Sequence, residues 1–252
     1  MVDYTDDVMQ TCGKVGTILL TSGAETSRVE QTVEYIGHAA GVAISCYVTM
    51  TAVFISVNQM GRTMMFKTKL SGFNLQKVDE LNQASRQFTA HQISYDKLKE
   101  ELERIDHQVI EFNWPTKILG AGLVSVAPMF LFKATWGDLG LSFFIGIVGF
   151  LATMWVANKH KTPYIKELAG GFTIALLSIL AVKTGIGIDS DKMIVSSLMP
   201  LVPGVAITNS FREIMAGEII SGLVRGVDAV LVAIAIGSGV VLATSLLYMI
   251  GG

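Results

Sequence analysis

The chain has 252 residues, 51% of them apolar, with 21 acidic and 19 basic side chains, a net charge of −2 and a mean hydropathy of +0.52. That balance excludes the basic, aromatic-interleaved surface of a nucleic-acid binder. The two cysteines, Cys12 and Cys46, form no disulfide framework, match no zinc spacing and sit in apolar patterns, as buried thiols do.

Charge is uneven along the chain. Residues 1–117 carry 25 charged side chains, whereas residues 118–252 carry 15, most of them between apolar runs. The pattern predicts a membrane protein in two parts: a small α+β domain over residues 1–112, then a transmembrane domain of about five helices over 113–252. The opening MVDYTDDVMQ is acidic and lacks an apolar core, so it is no signal peptide, and the first part is expected in the cytoplasm.

In chain order, Thr5–Leu20 reads as a helix broken at Ser22-Gly23. A second helix follows, with Val29, Val33, Ile36 and Ala40 on one stripe. Three short alternating runs, Ala43–Val48, Ala52–Val57 and Thr63–Thr68, read as strands, and NQMG at 58–61 suits a hairpin turn. Helices over Asn74–Thr89 and Ser94–Gln108 complete the first part, the second of them charge-laced.

The apolar runs Thr116–Phe132, Leu139–Asn158, Leu168–Ile188, Met193–Phe211 and Ala229–Gly252 read as spans. Lys159, Lys161 and Lys166 follow the second run, Asp189 and Asp191 the third, and Arg212 and Arg225 the fourth. Basic residues favour the cytoplasmic side, which places the first part inside and the C-terminus outside. Glycine pairs (120/122, 146/149, 170/171, 237/239) permit close helix packing or line a moving surface.

SGAETSRVE, residues 22–30, is the densest polar stretch of the first part. Ser22 and Glu25 match a capping box. The helical wheel sets Glu25, Arg28 and Thr32 beside the apolar stripe and turns Glu30 and Glu34 outward, so a cap with a half-buried Glu25–Arg28 pair and a functional site both fit. Thr49, Thr51 and Ser56 form a hydroxyl cluster around the second strand. Four scattered histidines and the absence of a G-x-S-x-G elbow, P-loop or HExxH give no support to catalysis, and nothing implies a metal or cofactor.

The fourth run contains the break LMPLVPGVAITNSFREI, residues 198–214. Proline lacks an amide donor, and carbonyls freed inside a bilayer need partners; such breaks survive where protein or a cavity covers them. The resumed helix starts with free amides suited to a carboxylate, and Thr208 and Arg212 share a face beside Asn209. A substrate site and a proline kink with Arg212 at the cytoplasmic surface both fit. Arg225 and Asp228, three apart, are expected to pair at the start of the fifth span.

SGAETSRVEQTV, VTMTAVFIS and PLVPGVAITNSFREIMAGEIISGLVRGVDA, in this order and over nearly the whole chain, resemble the threonine/serine exporter (ThrE) family. The resemblance implies export of small amino acids or short dicarboxylates across a bacterial inner membrane. It implies the larger subunit of a split system working with a small membrane companion; the expected partners are that companion, a homo-oligomer of this chain, or both. It carries over Glu25, Thr26, Arg28 and Glu30 as a polar motif of unassigned role, and Pro203, Gly204, Asn209 and Arg212 as the transport-site region; with Thr49 and Thr51 the first four are expected to form a gating or cytoplasmic-domain site. The rival readings are a membrane-anchored hydrolase acting through Glu25 and a membrane sensor or scaffold.

Overall fold

The computed structural model describes residues 2–57, 61–68, 73–108, 112–160 and 162–251. They fall into two compact units: residues 1–111 with 207–226, and residues 112–206 with 227–252. Most of the chain is helical, with one small sheet.

In the first unit, α1 (Val2–Thr21) and α2 (Thr26–Ala39) precede β1 (Ser45–Thr49), β2 (Ala52–Val57) and β3 (Arg62–Lys67), and α3 (Leu75–Thr89) and α4 (Tyr95–Gln108) follow. The strands form an antiparallel sheet in the order β1-β2-β3, with Tyr47 opposite Phe54 and Phe54 opposite Met65. Apart from Gly61, the hairpin turn expected at 58–61 lies outside the described residues.

Period-two alternation produces this sheet because only one face is covered. Val48, Val53, Ile55 and Val57 share one core with Val8, Cys12, Val15 and Leu19 of α1 and Val29, Val33 and Ile36 of α2. Leu81 and Phe88 of α3 and Leu98, Leu102 and Ile105 of α4 extend that core. Each fully buried aliphatic side chain contributes about 1.5–3 kcal/mol. Gly13 and Gly16 let α1 approach the sheet: a Cβ at Gly13 would enter the Phe66 ring. Cys12 and Cys46 are both free thiols. Burial pushes Cys12 up to about 12, and burial, reinforced by Glu30 and Glu34, raises Cys46 as well.

β1 is an edge strand, and α2 covers its free side. Glu34 accepts from the Cys46 amide (3.0 Å) and Glu30 from the Val48 amide (2.8 Å). Four helical residues rise about 6 Å and two strand residues about 6.6 Å, so the two periods match over one repeat. The wheel had turned both carboxylates outward; the strand edge captures them instead, because its unpaired amides need acceptors.

Burial raises the Glu30 carboxyl, and Glu218 and Glu34 add to the shift against the opposing amide. A raised carboxyl binds its proton more tightly in the folded state. Its contribution to stability is therefore full below the unfolded value and is lost as pH rises through the folded one. Glu30→Gln keeps an acceptor for Val48 and removes the charge. It should flatten the fall in stability above pH 4.5 and leave the melting temperature at pH 8 unchanged or higher. A clearly lower melting temperature at pH 8 would contradict this reading.

In the second unit, α5 (Trp114–Leu131), α6 (Trp136–Lys159), α7 (Ile165–Lys183) and α10 (Ile219–Gly251), the last starting in the first unit, are long and apolar enough to cross a bilayer. Trp114, Trp136 and Trp155 are exposed, and Lys159 lies 4.2 Å from the Trp155 ring centroid. Such pairs suit the membrane–water boundary.

The third and fifth expected spans change their bounds, and the fourth is broken where its prolines predict. The third ends at Lys183 rather than Ile188, because Gly185 (φ 77°) turns the chain and Ile186 donates back to the Ala181 carbonyl. The fourth is not one helix. α8 (Ser190–Ser197) runs into a 3-10 turn at Met199–Leu201, and α9 (Gly204–Met215) resumes after a bend of 63°. Pro200 and Pro203 remove two amide donors, and Val202, preceding a proline, is extended (φ −66°, ψ 130°). α10 also starts ten residues before the expected Ala229.

The interior of the second unit is built on small residues. A Cβ at Gly122 would meet Phe143, at Gly146 Ser125, at Gly149 Ile174 and at Gly170 Thr153. At Gly171 it would strike the Ile236 carbonyl, and at Gly239 the Leu168 carbonyl. Gly120 and Gly237, by contrast, face open space. One or both glycines of each pair thus admit a neighbour.

Candidate functional site at the α1–α2 turn and α9

α1 ends in a Schellman motif. Ala24 donates to Leu19 O (3.0 Å) and Gly23 to Leu20 O (3.1 Å), with Gly23 at φ 91°. The motif satisfies carbonyls of the last turn and turns those of Gly23 and Ala24 outward. A Cβ at Gly23 would strike the Phe73 ring. Gly23→Val combines that clash with a left-handed φ, and should cost about 2–4 kcal/mol in chemical denaturation; a loss under 1 kcal/mol would show the turn to be adaptable.

Glu25 is extended (φ −68°, ψ 140°) and is the N-cap of α2, yet its side chain makes no capping bond. The Ser22–Glu25 capping box is therefore not formed; Ser22 lies in the turn that ends α1, where its carbonyl accepts from Asn74 (3.0 Å). The cap comes from α9. Glu213 Oε1 accepts the first-turn amide of Thr26 at 3.2 Å. A carboxylate at this place meets a free N–H and the positive end of the helix dipole.

Glu213 is fully buried, and Arg225 is 3% exposed. The guanidinium grips the carboxylate with two nitrogens, Nε to Oε2 at 3.0 Å and Nη2 to Oε1 at 2.9 Å. Nη2 also donates to Ala24 O at 3.2 Å. The expected Arg225–Asp228 pair is thereby replaced; Asp228 instead accepts from the Tyr164 hydroxyl at 2.9 Å.

Two further α9 side chains reach the same turn. Asn209 donates to Gly23 O at 3.1 Å, and Arg212 Nη1 lies 3.1 Å from Glu25 Oε1. Asn209, Arg212 and Glu213 share a face at helical spacing. That face is held by a tight hairpin: Gly217 (φ 93°) turns the chain, Ser210 donates to Gly222 O (2.6 Å), and a Cβ at Gly222 or Gly226 would crowd Ser210.

The structure thus joins part of the two sequence motifs. Arg212 meets Glu25 directly, Asn209 reaches the carbonyl of neighbouring Gly23, and Thr26 is held by Glu213, which spacing did not single out, with Arg225 behind it. Arg28 is exposed, and the expected Glu25–Arg28 pair gives way to Glu25–Arg212. Glu30 serves the sheet edge. Thr49 accepts from the Ala52 amide (3.1 Å) and closes the β1–β2 turn, while exposed Thr51 accepts from the Thr68 amide (2.8 Å). Pro203 and Gly204 belong to the second unit, and the Gly204 amide is engaged by Val202 O at 2.9 Å. Thr208 is exposed on α9.

Chemically the cluster divides in two. Glu213 and Arg225 saturate each other and the turn, so they hold rather than react. Arg212 has 64% of its side chain exposed, and one nitrogen engages Glu25, itself 22% exposed. That leaves a guanidinium face that a solute carboxylate can reach. The Thr26 hydroxyl is buried without a partner. Among the described residues no three His, Cys, Asp or Glu side chains are arranged to hold a metal ion.

Comparison with known proteins gives one consistent result. The family model ThrE, described as "Putative threonine/serine exporter", matches residues 10–247. The "Threonine/serine exporter" of Corynebacterium glutamicum is 22% identical over 95% of this chain, which spans 52% of that protein. The "Probable succinate transporter subunit YjjP" of Escherichia coli K12 is 24% identical over 95% of this chain, which spans 94% of that subunit. The "Probable threonine/serine exporter" of Mycobacterium tuberculosis is 20% identical, and the chain spans 46% of it. The chain therefore covers about half the length of the two exporters and nearly all of the subunit. No solved structure matches.

Proposed function

We propose, from the premise that this chain belongs to the threonine/serine exporter family, that it is the larger subunit of a two-part exporter of small carboxylate-bearing metabolites, threonine, serine or a succinate-like dicarboxylate. The observation that carries the proposal is the match to nearly the full length of a protein named a transporter subunit. A small membrane companion completes the pathway, alone or with further copies of this chain. The chain itself has no catalytic role.

The proposed site lies in the region of the Pro203-Gly204 break, with Thr208, Asn209 and Arg212 following on α9. Arg212 offers the substrate carboxylate its exposed face. Glu25, Thr26, Arg28, Glu30, Thr49 and Thr51 belong to the gating domain, and of these Glu25 and Thr26 contact α9.

The parity of the crossings supports five passages through a bacterial inner membrane. Residues 207–226 fold in the same unit as residues 1–111. α5, α6 and α7 are three crossings and leave the chain on the far side. The broken segment containing α8 must then cross back, and α10 makes the fifth. Lysines after α6 favour the cytoplasm for the first unit, so the domain of residues 1–112, joined by the α9–α10 hairpin, sits inside and the C-terminus outside. Alkaline phosphatase fused after Gly252 should be active; a fluorescent GFP fusion with inactive phosphatase would reduce the count to four.

The function is tested by efflux of labelled threonine, serine and succinate from preloaded cells carrying this chain alone or with its companion. Efflux that requires both chains is expected. Normal membrane insertion without efflux of any of the three in either case would overturn the reading.

A further inference from the structure

We propose that the edge of β3, which no strand among the described residues covers, pairs antiparallel with β3 of a second copy of this chain, joining two three-stranded sheets into one of six strands. The proposal rests on the first unit alone and needs no assumption about transport.

The two edges of the sheet are treated differently. On β1 the outward amides are those of Cys46 and Val48, both taken by Glu34 and Glu30. Alternate residues of a central strand turn their amides to opposite neighbours, so β2 uses Ala52, Phe54 and Ser56 towards β1 and Val53, Ile55 and Val57 towards β3. The Thr68 amide, bonded to Thr51 O at 2.8 Å, follows the same alternation. Thr63, Met65 and Lys67 therefore turn N–H and C=O away from the sheet.

Beside this edge runs an open groove. A space of about 680 Å³ between β3, α1 and α4 is bordered by Asp7, Lys14, Met65, Lys99 and Glu103, and a second of about 500 Å³ continues it past Lys14, Met65 and Lys67 to Asp106. The six residues of β3 span about 20 Å.

The edge is complementary to itself. Outward residues pair with outward residues, and a twofold axis at Met65 sets Met65 opposite Met65 and Thr63 opposite Lys67, so no like charges face each other. The groove carries both signs, Lys14 with Glu103 (2.6 Å) and Lys99 with Asp7 (2.7 Å), as an isologous contact requires. The Glu30 and Glu34 caps stop the outer edges of the joined sheet, so pairing closes at two copies rather than extending.

Full-length protein in nanodiscs tests this. Met65→Cys should form a disulfide-linked dimer on mild oxidation, whereas Ser45→Cys on the capped edge should not. Cys12 and Cys46, both held protonated by burial, supply the background, read from the unmodified chain. Met65→Pro removes only an outward amide, which an edge strand tolerates, and should convert dimer to monomer by light scattering with unchanged circular dichroism. As an independent check that does not depend on proline, Thr63→Lys should weaken the dimer at least tenfold by setting lysines opposite each other, and adding Lys67→Glu should restore it. A monomeric wild-type protein, a Thr63→Lys dimer of unchanged affinity, or a Met65→Cys cross-link formed only to the companion subunit would overturn the proposal.

Discussion

Arg225→Met is expected to lower the unfolding free energy by about 3–5 kcal/mol, because it leaves the fully buried Glu213 carboxylate without its cation. Methionine fills much of the arginine's volume, so the loss is electrostatic rather than a cavity effect. Glu213 would still hold the Thr26 amide, but one neutral donor does not replace a two-pronged guanidinium. The pair replacement Glu213→Leu with Arg225→Met should cost less than the single change, since no charge remains buried. The Ala24 carbonyl loses its donor in both proteins, so the pair adds only an unpaired Thr26 amide, at about 1–3 kcal/mol, against the several kcal/mol of an uncompensated buried charge. Chemical denaturation of the three proteins, with hydrogen exchange over the first turn of α2, reads both effects. A single-mutant loss below 1 kcal/mol, or a pair no more stable than the single, would show that the contact does not anchor the turn.

Arg212→Ala separates stability from transport. Its ion pair with Glu25 is largely exposed on the arginine side, so its removal should shift stability by at most about 1 kcal/mol. The proposed carboxylate contact is worth about 1.5–3 kcal/mol, which corresponds to roughly 10- to 150-fold in efflux. The charge exchange Arg212→Glu with Glu25→Arg distinguishes two ways of losing that activity. A guanidinium that serves substrate stays lost in the exchanged protein. One that acts only by holding Glu25 regains function, because the pair re-forms with reversed polarity. Wild-type efflux by Arg212→Ala itself would remove the residue from the site altogether.

How far the sequence reveals this arrangement depends on the range of the interaction. The strands are legible because their alternation reflects one covered sheet face. The broken segment is legible because proline acts on its own residue and the one before it, as Val202 shows. Caps and pairs are read less well. Ser22 and Glu25 have capping-box spacing, but Gly23 ends α1 by its own turn and the cap on Thr26 comes from 187 residues away. Arg225 and Asp228 have the spacing of a helical pair, and the same helix lets each find a partner elsewhere. Glu30 and Glu34 look solvent-directed on a wheel, which has no means of including a neighbouring strand whose amides two residues apart match four helical residues. Glu213 left one signal, a carboxylate beside Arg212 in an otherwise apolar run, and spacing gave it no partner.

The glycine contacts between α7 and α10 have a thermal consequence. Gly171 lies under the Ile236 carbonyl and Gly239 under that of Leu168, so two backbones meet with no side chains between them. In lipid such cohesion comes from dispersion and weak Cα–H···O contacts rather than from the expulsion of water. The heat-capacity increment of unfolding, which tracks apolar surface newly exposed to water, should therefore come almost wholly from the first unit with its valine-rich core. A calorimetric scan would then record the melting of a water-built half while the helix pair, carrying almost no such signature, stays associated.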